Sequence, residues 1–244
     1  MRHRAYYNEF EPYAAAWLRN LIAEGLIPAG DVDERSIVDV EPGDLAGYTQ
    51  VHFFAGLGGW GHALRLAGWP DERPIWTGSP PCQDVSLAGA VWNVRSGMSG
   101  ARTSLAFKWL DLVGAVRPRA VAFENVPGIG EWLAEITGRL ESFGYRVSRY
   151  KRATADVGGP HLRRRVWLIA DGDGEGLEEP WAPGPCSSDR DPRRAPPGNV
   201  WAPAPGRACL LADGFPARVA AIRAFGNAID PHTAADVISA HFRR

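Results

Sequence analysis

Short, mostly apolar runs recur along this chain at residues 4–10, 29–32, 50–55, 74–78, 120–124, 146–150 and 165–170, and each predicts a strand. The segments between them change rhythm. Residues 11–24 carry Ala15, Leu18 and Ile22 on one stripe, with Pro12 in the first turn and Gly25 at the stop, which predicts an amphipathic helix. The same period predicts helices over 59–67, 103–116, 131–143, 215–225 and 231–241, with a short helical turn at 36–40. Strands alternating with helices point to an α/β layered domain on a mainly parallel sheet. Two stretches lack any period. Residues 83–100 form a loop rich in Gly and Ser, and from Asp171 to about residue 207 the chain is crowded with Pro, Gly, Asp and Arg. The second reads as a loop-built insertion or a linker.

Composition narrows the class. With 244 residues, 45% of them hydrophobic and 23% charged, the chain can hold one substantial core. No apolar run approaches the ~20 residues of a membrane span, and no apolar segment follows the basic N-terminal residues, so neither a membrane anchor nor a secretory leader is expected. Cys82, Cys186 and Cys209 are odd in number and far apart, neither a disulfide framework nor a zinc set, which fits a reducing cytoplasmic setting. No metal site is expected. Net charge is −1, yet Arg146, Arg149, Lys151, Arg152, Arg163, Arg164, Arg165, Arg190, Arg193 and Arg194 crowd the second half, while residues 31–44 are acidic. A phosphate-binding face and a solvated arginine-rich surface fit that distribution equally well.

Candidate chemistry lies where strands end. Gly78-Ser79-Pro80-Pro81-Cys82-Gln83 puts a cysteine on a Pro-stiffened polar loop, where a thiol is more reactive than in an apolar run. Glu124, at the end of the 120–124 strand, is placed to face a pocket and to have its pKa raised by desolvation. Asn125 is suited to orienting the loop through backbone hydrogen bonds. The strand–glycine-turn–helix of Phe53-Phe54-Ala55-Gly56-Leu57-Gly58-Gly59 lets backbone amides approach a ligand. Glu9 and Asp31 are acids at strand ends, a position used for ribose and adenine contacts in nucleotide-binding folds. Alternation sends Arg163 and Arg165 to one side, where two guanidinium groups suit a carbonyl, phosphate or carboxylate.

Together these segments resemble the cytosine-C5 DNA methyltransferases. Phe54-Ala55-Gly56-Leu57-Gly58-Gly59 is similar to the family's cofactor loop, Pro81-Cys82-Gln83 to its nucleophile motif and Glu124-Asn125-Val126 to its acid motif. Arg163-x-Arg165 resembles its arginine motif, and Gly226-Asn227-Ala228-Ile229 the late motif packed against the cofactor pocket. Asn8-Glu9-Phe10 and Gly30-Asp31-Val32 look like the segments that hold ribose and adenine of S-adenosylmethionine. The order departs from the family, because the ribose and adenine segments precede the cofactor loop. The resemblance therefore implies a circularly permuted, compact, phage- or prophage-type member with a Rossmann-like methyltransferase sheet, helices on both faces and a minimal loop-rich recognition segment. Residues 33–50 have ample reach to carry the chain back to the central strand, and permutation is tolerated where termini lie at the surface. His161 stands where the family has glutamine, and Asp84 follows the nucleophile motif in place of proline or alanine.

What the resemblance implies is methyl transfer from S-adenosylmethionine to C5 of cytosine in double-stranded DNA, through a Cys82–C6 adduct on a flipped-out base. Catalytic roles fall to Cys82, Glu124, Asn125, Arg163 and Arg165. Cofactor contacts fall to Phe54, Gly56, Gly58, Gly59, Glu9, Phe10, Asp31, Val32, Pro80 and Asn227. Gln83, Ser86, Arg95, Arg102, Arg193 and Arg194 would touch the nucleic acid, with residues 84–102 closing over the base. Residues 1–170 and 208–244 would form the catalytic and cofactor-binding domain and 171–207 a reduced target-recognition segment carrying Trp181 and Trp201. So short a segment cannot build its own core, which implies relaxed or short-sequence specificity, or recognition surface from a partner protein or second copy. The same chemistry on a tRNA cytosine and a non-catalytic scaffold binding DNA or cofactor are the alternatives.

Overall fold

The computed structural model describes residues 4–81, 101–159, 162–172 and 228–242, and every structural statement concerns these. Seven strands form one sheet: β1 (Ala5–Asn8), β2 (Gly30–Asp33), β3 (Gln50–Phe53), β4 (Ile75–Gly78), β5 (Ala120–Asn125), β6 (Tyr145–Ala153) and β7 (Arg164–Gly172). Their spatial order is β2-β1-β3-β4-β5-β7-β6. β2 through β5 are mutually parallel with β1 among them, while β7 runs antiparallel to both β5 and β6. The chain thus starts beside the sheet edge, goes out to that edge, returns to the middle at β3 and then works towards the other side.

Five helices cover the sheet: α1 (Pro12–Ala23), α2 (Gly59–Leu66), α3 (Ala101–Val116), α4 (Gly130–Ser142) and α5 (Pro231–Phe242). The predicted helix over residues 215–225 lies outside the described residues. α1 starts where it was expected to, with Pro12 in its first turn and the Glu11 carboxylate accepting from the Ala14 amide as a cap.

Strand alternation divides the core in two. On one face Val51, Phe53, Trp76, Val121 and Phe123 pack with Trp109, Trp132 and Ile136 from α3 and α4. On the other, Ile75, Ala120, Ala122 and Trp167 pack with Trp60 and Leu64 of α2 and Ile238 of α5, and Tyr7 packs with Leu18 of α1. Five tryptophans are fully buried. At roughly 25 cal/mol per Å² of apolar surface, such large side chains dominate the burial that holds the layers together.

α5 is fastened by polar contacts as well. The His241 ring bridges the Tyr150 hydroxyl (3.0 Å) and Asp171 Oδ2 (2.5 Å), and Arg152 Nε pairs with Asp236 at 3.1 Å. No helix among the described residues is long and apolar enough to cross a membrane.

Several predicted boundaries shift. The 146–150 strand extends to Tyr145–Ala153, because its exposed arginines and lysine suit an edge strand that carries little apolar signal. β2 runs one residue beyond its predicted end, so Asp33, and not Asp31, stands level with Asn8. The helical turn at 36–40 is a 3₁₀ turn, Ile37–Asp39, opened by the Ser36 side chain.

Candidate active site at the carboxyl ends of the strands

Four of the strand ends carry functional groups. β3 leads into Phe54-Ala55-Gly56-Leu57-Gly58, and the backbone there twists sharply: Phe54, Gly56 and Gly58 have φ of 52°, 55° and 79°. Glycine is the residue that takes such angles without strain, which explains two of the three positions. At Gly58 the space is closed too, since a Cβ would lie 3.0 Å from Leu21 Cδ1. The turn opens α2, whose first residue Gly59 lies against Ile229: a Cβ there would meet the Ile229 oxygen at 3.1 Å.

Glu9, just after β1, is bound to this turn. One carboxylate oxygen accepts from the Gly56 amide at 2.7 Å and the other from the Glu11 amide at 2.9 Å. Burial pushes the Glu9 carboxyl above its ordinary pKa, and the two amides pull against it. Phe10 beside it is 71% exposed, an unusual setting for a large ring in a chain with so full a core.

Asp31 does not join Glu9. It sits inside β2 opposite Tyr6, and its carboxylate accepts from Arg4 (2.5 Å) and the Tyr48 hydroxyl (2.8 Å). It lines an open cleft of about 390 Å³ together with Tyr6, Val32, Asp33, Arg35 and Tyr48. The Val32 side chain packs against the cluster beneath α1.

Glu124 is the centre of the second group. It lies near the end of β5, opposite Trp167 of β7, and is only 5% exposed. Arg165 Nε approaches its Oε1 at 2.8 Å. The Ser79 hydroxyl donates to the same carboxylate. Burial raises the Glu124 pKa, and the charges of Arg165 and Arg163 and the Ser79 hydrogen bond offset that only in part. A carboxyl so placed holds a proton at higher pH than a free one and can give it up to a base in the cleft. Arg163 is itself shifted down by burial and by its neighbour Arg165. Its Nη2 donates to the Ala228 carbonyl at 2.6 Å, bringing the residue after Asn227 to the arginine pair. Both arginines act on Glu124, as their alternation predicts.

Asn125 joins this acid to the next loop. Its Nδ2 donates to the Pro80 carbonyl at 2.9 Å, and its Oδ1 accepts from the Val126 amide at 2.8 Å. Pro80 is buried and Pro81 leads directly into Cys82. Cys82, Gln83, Ser86, Arg95, His161, Arg193, Arg194 and Asn227 lie outside the described residues, as does the Arg102 side chain.

Sequence reasoning missed two participants, Ser79 and Trp60. Trp60 Nε1 donates to Ser79 Oγ at 3.0 Å. A hydroxyl inside the nucleophile segment was the available signal for Ser79, whereas nothing in the local pattern singles out Trp60 from a core tryptophan.

Fold and site define a Rossmann-like α/β protein in which a glycine turn and a buried, arginine-flanked acid lie at the carboxyl ends of central parallel strands. Residues 69–182 match the family described as C-5 cytosine-specific DNA methylase. That stretch holds the nucleophile, acid and arginine motifs. Among its relatives, the Type II methyltransferase M.AgeI of Thalassovita gelatinovora is 30% identical over 116 residues, which is 46% of this chain and 26% of the relative. Type II methyltransferase M.AquIA of Picosynechococcus is 32% identical over 124 residues, 46% of this chain and 48% of the relative. The chain thus spans less than two thirds of the length of either relative. Among solved structures, Dnmt2 methyltransferase of S. pombe has a TM-score of 0.42 at 16% identity, covering 72% of this chain and 51% of that one.

Proposed function

We propose that this chain transfers a methyl group from S-adenosylmethionine to C5 of cytosine in DNA, with Cys82 as nucleophile and Glu124 as acid. The observation that carries the reading is the buried Glu124–Arg165 pair, tied through Asn125 to Pro80 two residues before Cys82. It is an acid held beside the loop that bears a thiol, as addition to a pyrimidine ring requires.

The residues at the glycine turn fit the cofactor. Glu9 is fixed by two amides and keeps acceptor capacity for a pair of adjacent hydroxyls. The turn at Phe54, Gly56 and Gly58 offers backbone amides at the start of α2, Gly59 packs against Ile229, and the exposed Phe10 ring suits a purine face. Asp31 and Val32, which line the neighbouring cleft, fall on the adenine side. Pro80 and Asn227 complete the assignment. When bound, S-adenosylmethionine supplies an electrophilic methyl group.

Cytosine C5 is a poor nucleophile until C6 has been attacked. Cys82 adds to C6 as thiolate while Glu124 delivers a proton to N3, so the electron pair of the C5–C6 double bond is held as an enamine. C5 then takes the methyl group. Loss of the C5 proton, expulsion of Cys82 as thiolate and return of the N3 proton to Glu124 restore the ring. Arg165 holds Glu124 and faces the base carbonyl, and Arg163 supports the late motif through Ala228. The reacting atoms are unreachable inside a duplex, so the base is flipped out. Gln83, Ser86, Arg95 and Arg102 would line its path.

The strand order supports a circular permutation. Taken from the centre outward, the strands β3, β1 and β2 carry the glycine turn, the ribose acid and the adenine acid, the order in which the family makes them, but here β3 is made last. The family match begins at residue 69, after these reordered segments. Residues 1–170 and 208–244 then form the catalytic and cofactor-binding domain, and 171–207 the recognition segment, with Arg193 and Arg194 towards DNA and a partner or second copy extending the surface. Methylation of duplex DNA against tRNA, each with labelled S-adenosylmethionine, tests the reading. Label in DNA cytosine, lost in Cys82→Ser, is the expected result, and label confined to tRNA overturns the substrate.

A further inference from the structure

Among the described residues, the Ser79 hydroxyl serves the Glu124 carboxylate and is in turn held by an indole. Ser79 lies between Trp60 and Glu124 on the face of the sheet covered by α2. β4 ends at Gly78, which pairs with Phe123, so the next residue, Ser79, falls beside Glu124, and alternation puts both on the face that carries Ile75 and Ala122. Trp60, the second residue of α2, is buried, and its ring stands edge-on to Trp167 at 5.6 Å and 86°. Trp167 is the β7 residue paired with Glu124. The indole is therefore fixed by the strand next to the acid.

The polarity of this chain of contacts is settled by chemistry. An indole N–H can only donate, so in the 3.0 Å contact Ser79 Oγ is the acceptor. The serine has a single hydrogen, which it places on Glu124. With its oxygen occupied by Trp60, the hydroxyl is held as a donor, a geometry that favours the ionised carboxylate over the acid.

We propose that Ser79, oriented by Trp60, is a positioning residue that holds the Glu124 carboxyl with a fixed hydroxyl donor. This rests on the methyl-transfer reading for its purpose, though not for its measurement. Burial alone would leave Glu124 protonated over a wide range. A fixed hydroxyl donor stabilises the carboxylate left by each proton delivery, so the proton passes more readily to the ring. The link also runs from the first turn of α2, directly after the glycine turn, to the acid.

The test reads the carboxyl itself. In protein labelled with ¹³C at glutamate side chains, the Glu124 resonance, assigned by its loss in Glu124→Gln, is followed against pH in wild type, Ser79→Ala, Ser79→Thr and Trp60→Phe. Ser79→Ala removes a donor that favours the charged form, so its midpoint moves to higher pH. Trp60→Phe frees the hydroxyl to rotate and moves it the same way by less. Ser79→Thr keeps the hydroxyl and stays near wild type. A midpoint in Ser79→Ala equal to or below that of wild type overturns the proposal, and an unmoved midpoint in Trp60→Phe removes Trp60 from it. A hydroxyl that serves packing and gives no hydrogen bond to the carboxylate would change thermal stability and leave the titration alone. Wild type that shows this titration but methylates no nucleic acid would sink the methyl-transfer reading without touching the Ser79 result.

Discussion

Asn125 Nδ2 donates to the Pro80 carbonyl across 45 residues of sequence, and this joins the acid strand to the nucleophile loop. The bond is buried and charge-free, and Asn125 answers at its other end by accepting from Val126. Asn125→Asp keeps the acceptor and loses the donor. We expect it to cost about 1–3 kcal/mol of stability, the penalty for a buried acceptor left alone, and to lower methyl transfer by more than the loss of folded protein explains. Denaturant unfolding alongside single-turnover rates checks both.

Glu124→Gln removes the proton source while keeping the shape. A positioned general acid is worth about 10²–10⁴-fold, so a loss in that range with intact folding is expected. The active form of this acid is protonated, so activity falls as pH rises through its pKa. Because burial raises that pKa, the fall lies at higher pH than for a free glutamate. A rate profile that rises through this region would contradict the assigned role.

Phe10 and Gly58 separate ligand binding from folding. Phe10 is exposed, so Phe10→Ala should leave the melting temperature within a degree or two and weaken S-adenosylmethionine binding by about tenfold, the worth of one aromatic stack. Gly58→Ala forces a Cβ into a φ of 79° and against Leu21. It should cost about 1–3 kcal/mol. Calorimetric titration and thermal melts on the same samples distinguish the two effects.

His52 sets an acid limit to stability. It is fully buried in β3, its Nδ1 is 2.8 Å from Thr77 Oγ1 and its ring is stacked on Tyr7 at 4.9 Å. Burial pushes its pKa down from 6.5 to about 3. The unfolded chain binds a proton that the folded one refuses, so this contribution is fully present above pH 6.5 and is lost as pH falls towards 3. The loss is on the order of a few kcal/mol. In His52→Phe the slope of stability with pH over that window should flatten, as urea unfolding at pH 7, 5 and 4 would show.

Most of the sheet was legible from the chain, because its strands are short, mostly apolar runs and most lie close to Gly, Pro or a charged residue. The residues at strand ends were legible as types: Glu9, Glu124 and Asn125 announce themselves by following apolar runs. Their partners were not. Arg165 meets Glu124 only because β7 turns back antiparallel on β5, a pairing between segments some forty residues apart that no local spacing encodes. Asp31 illustrates the reverse case. The one-residue extension of β2 moves it below the strand end, and Arg4 and Tyr48, both distant in sequence, take its carboxylate. Ser79 was hidden because its importance comes from Trp60 and Glu124 and not from its own neighbours.

The most direct test of the account is covalent trapping. The chain is incubated with S-adenosylmethionine and duplex DNA carrying 5-fluorocytosine in many sequence contexts, where fluorine at C5 blocks release of the nucleophile. The account predicts a denaturant-stable protein–DNA adduct, absent in Cys82→Ser and much reduced in Glu124→Gln, with the trapped sequences revealing the target. An adduct that survives Cys82→Ser, or none at all from protein that binds both DNA and cofactor, would contradict it.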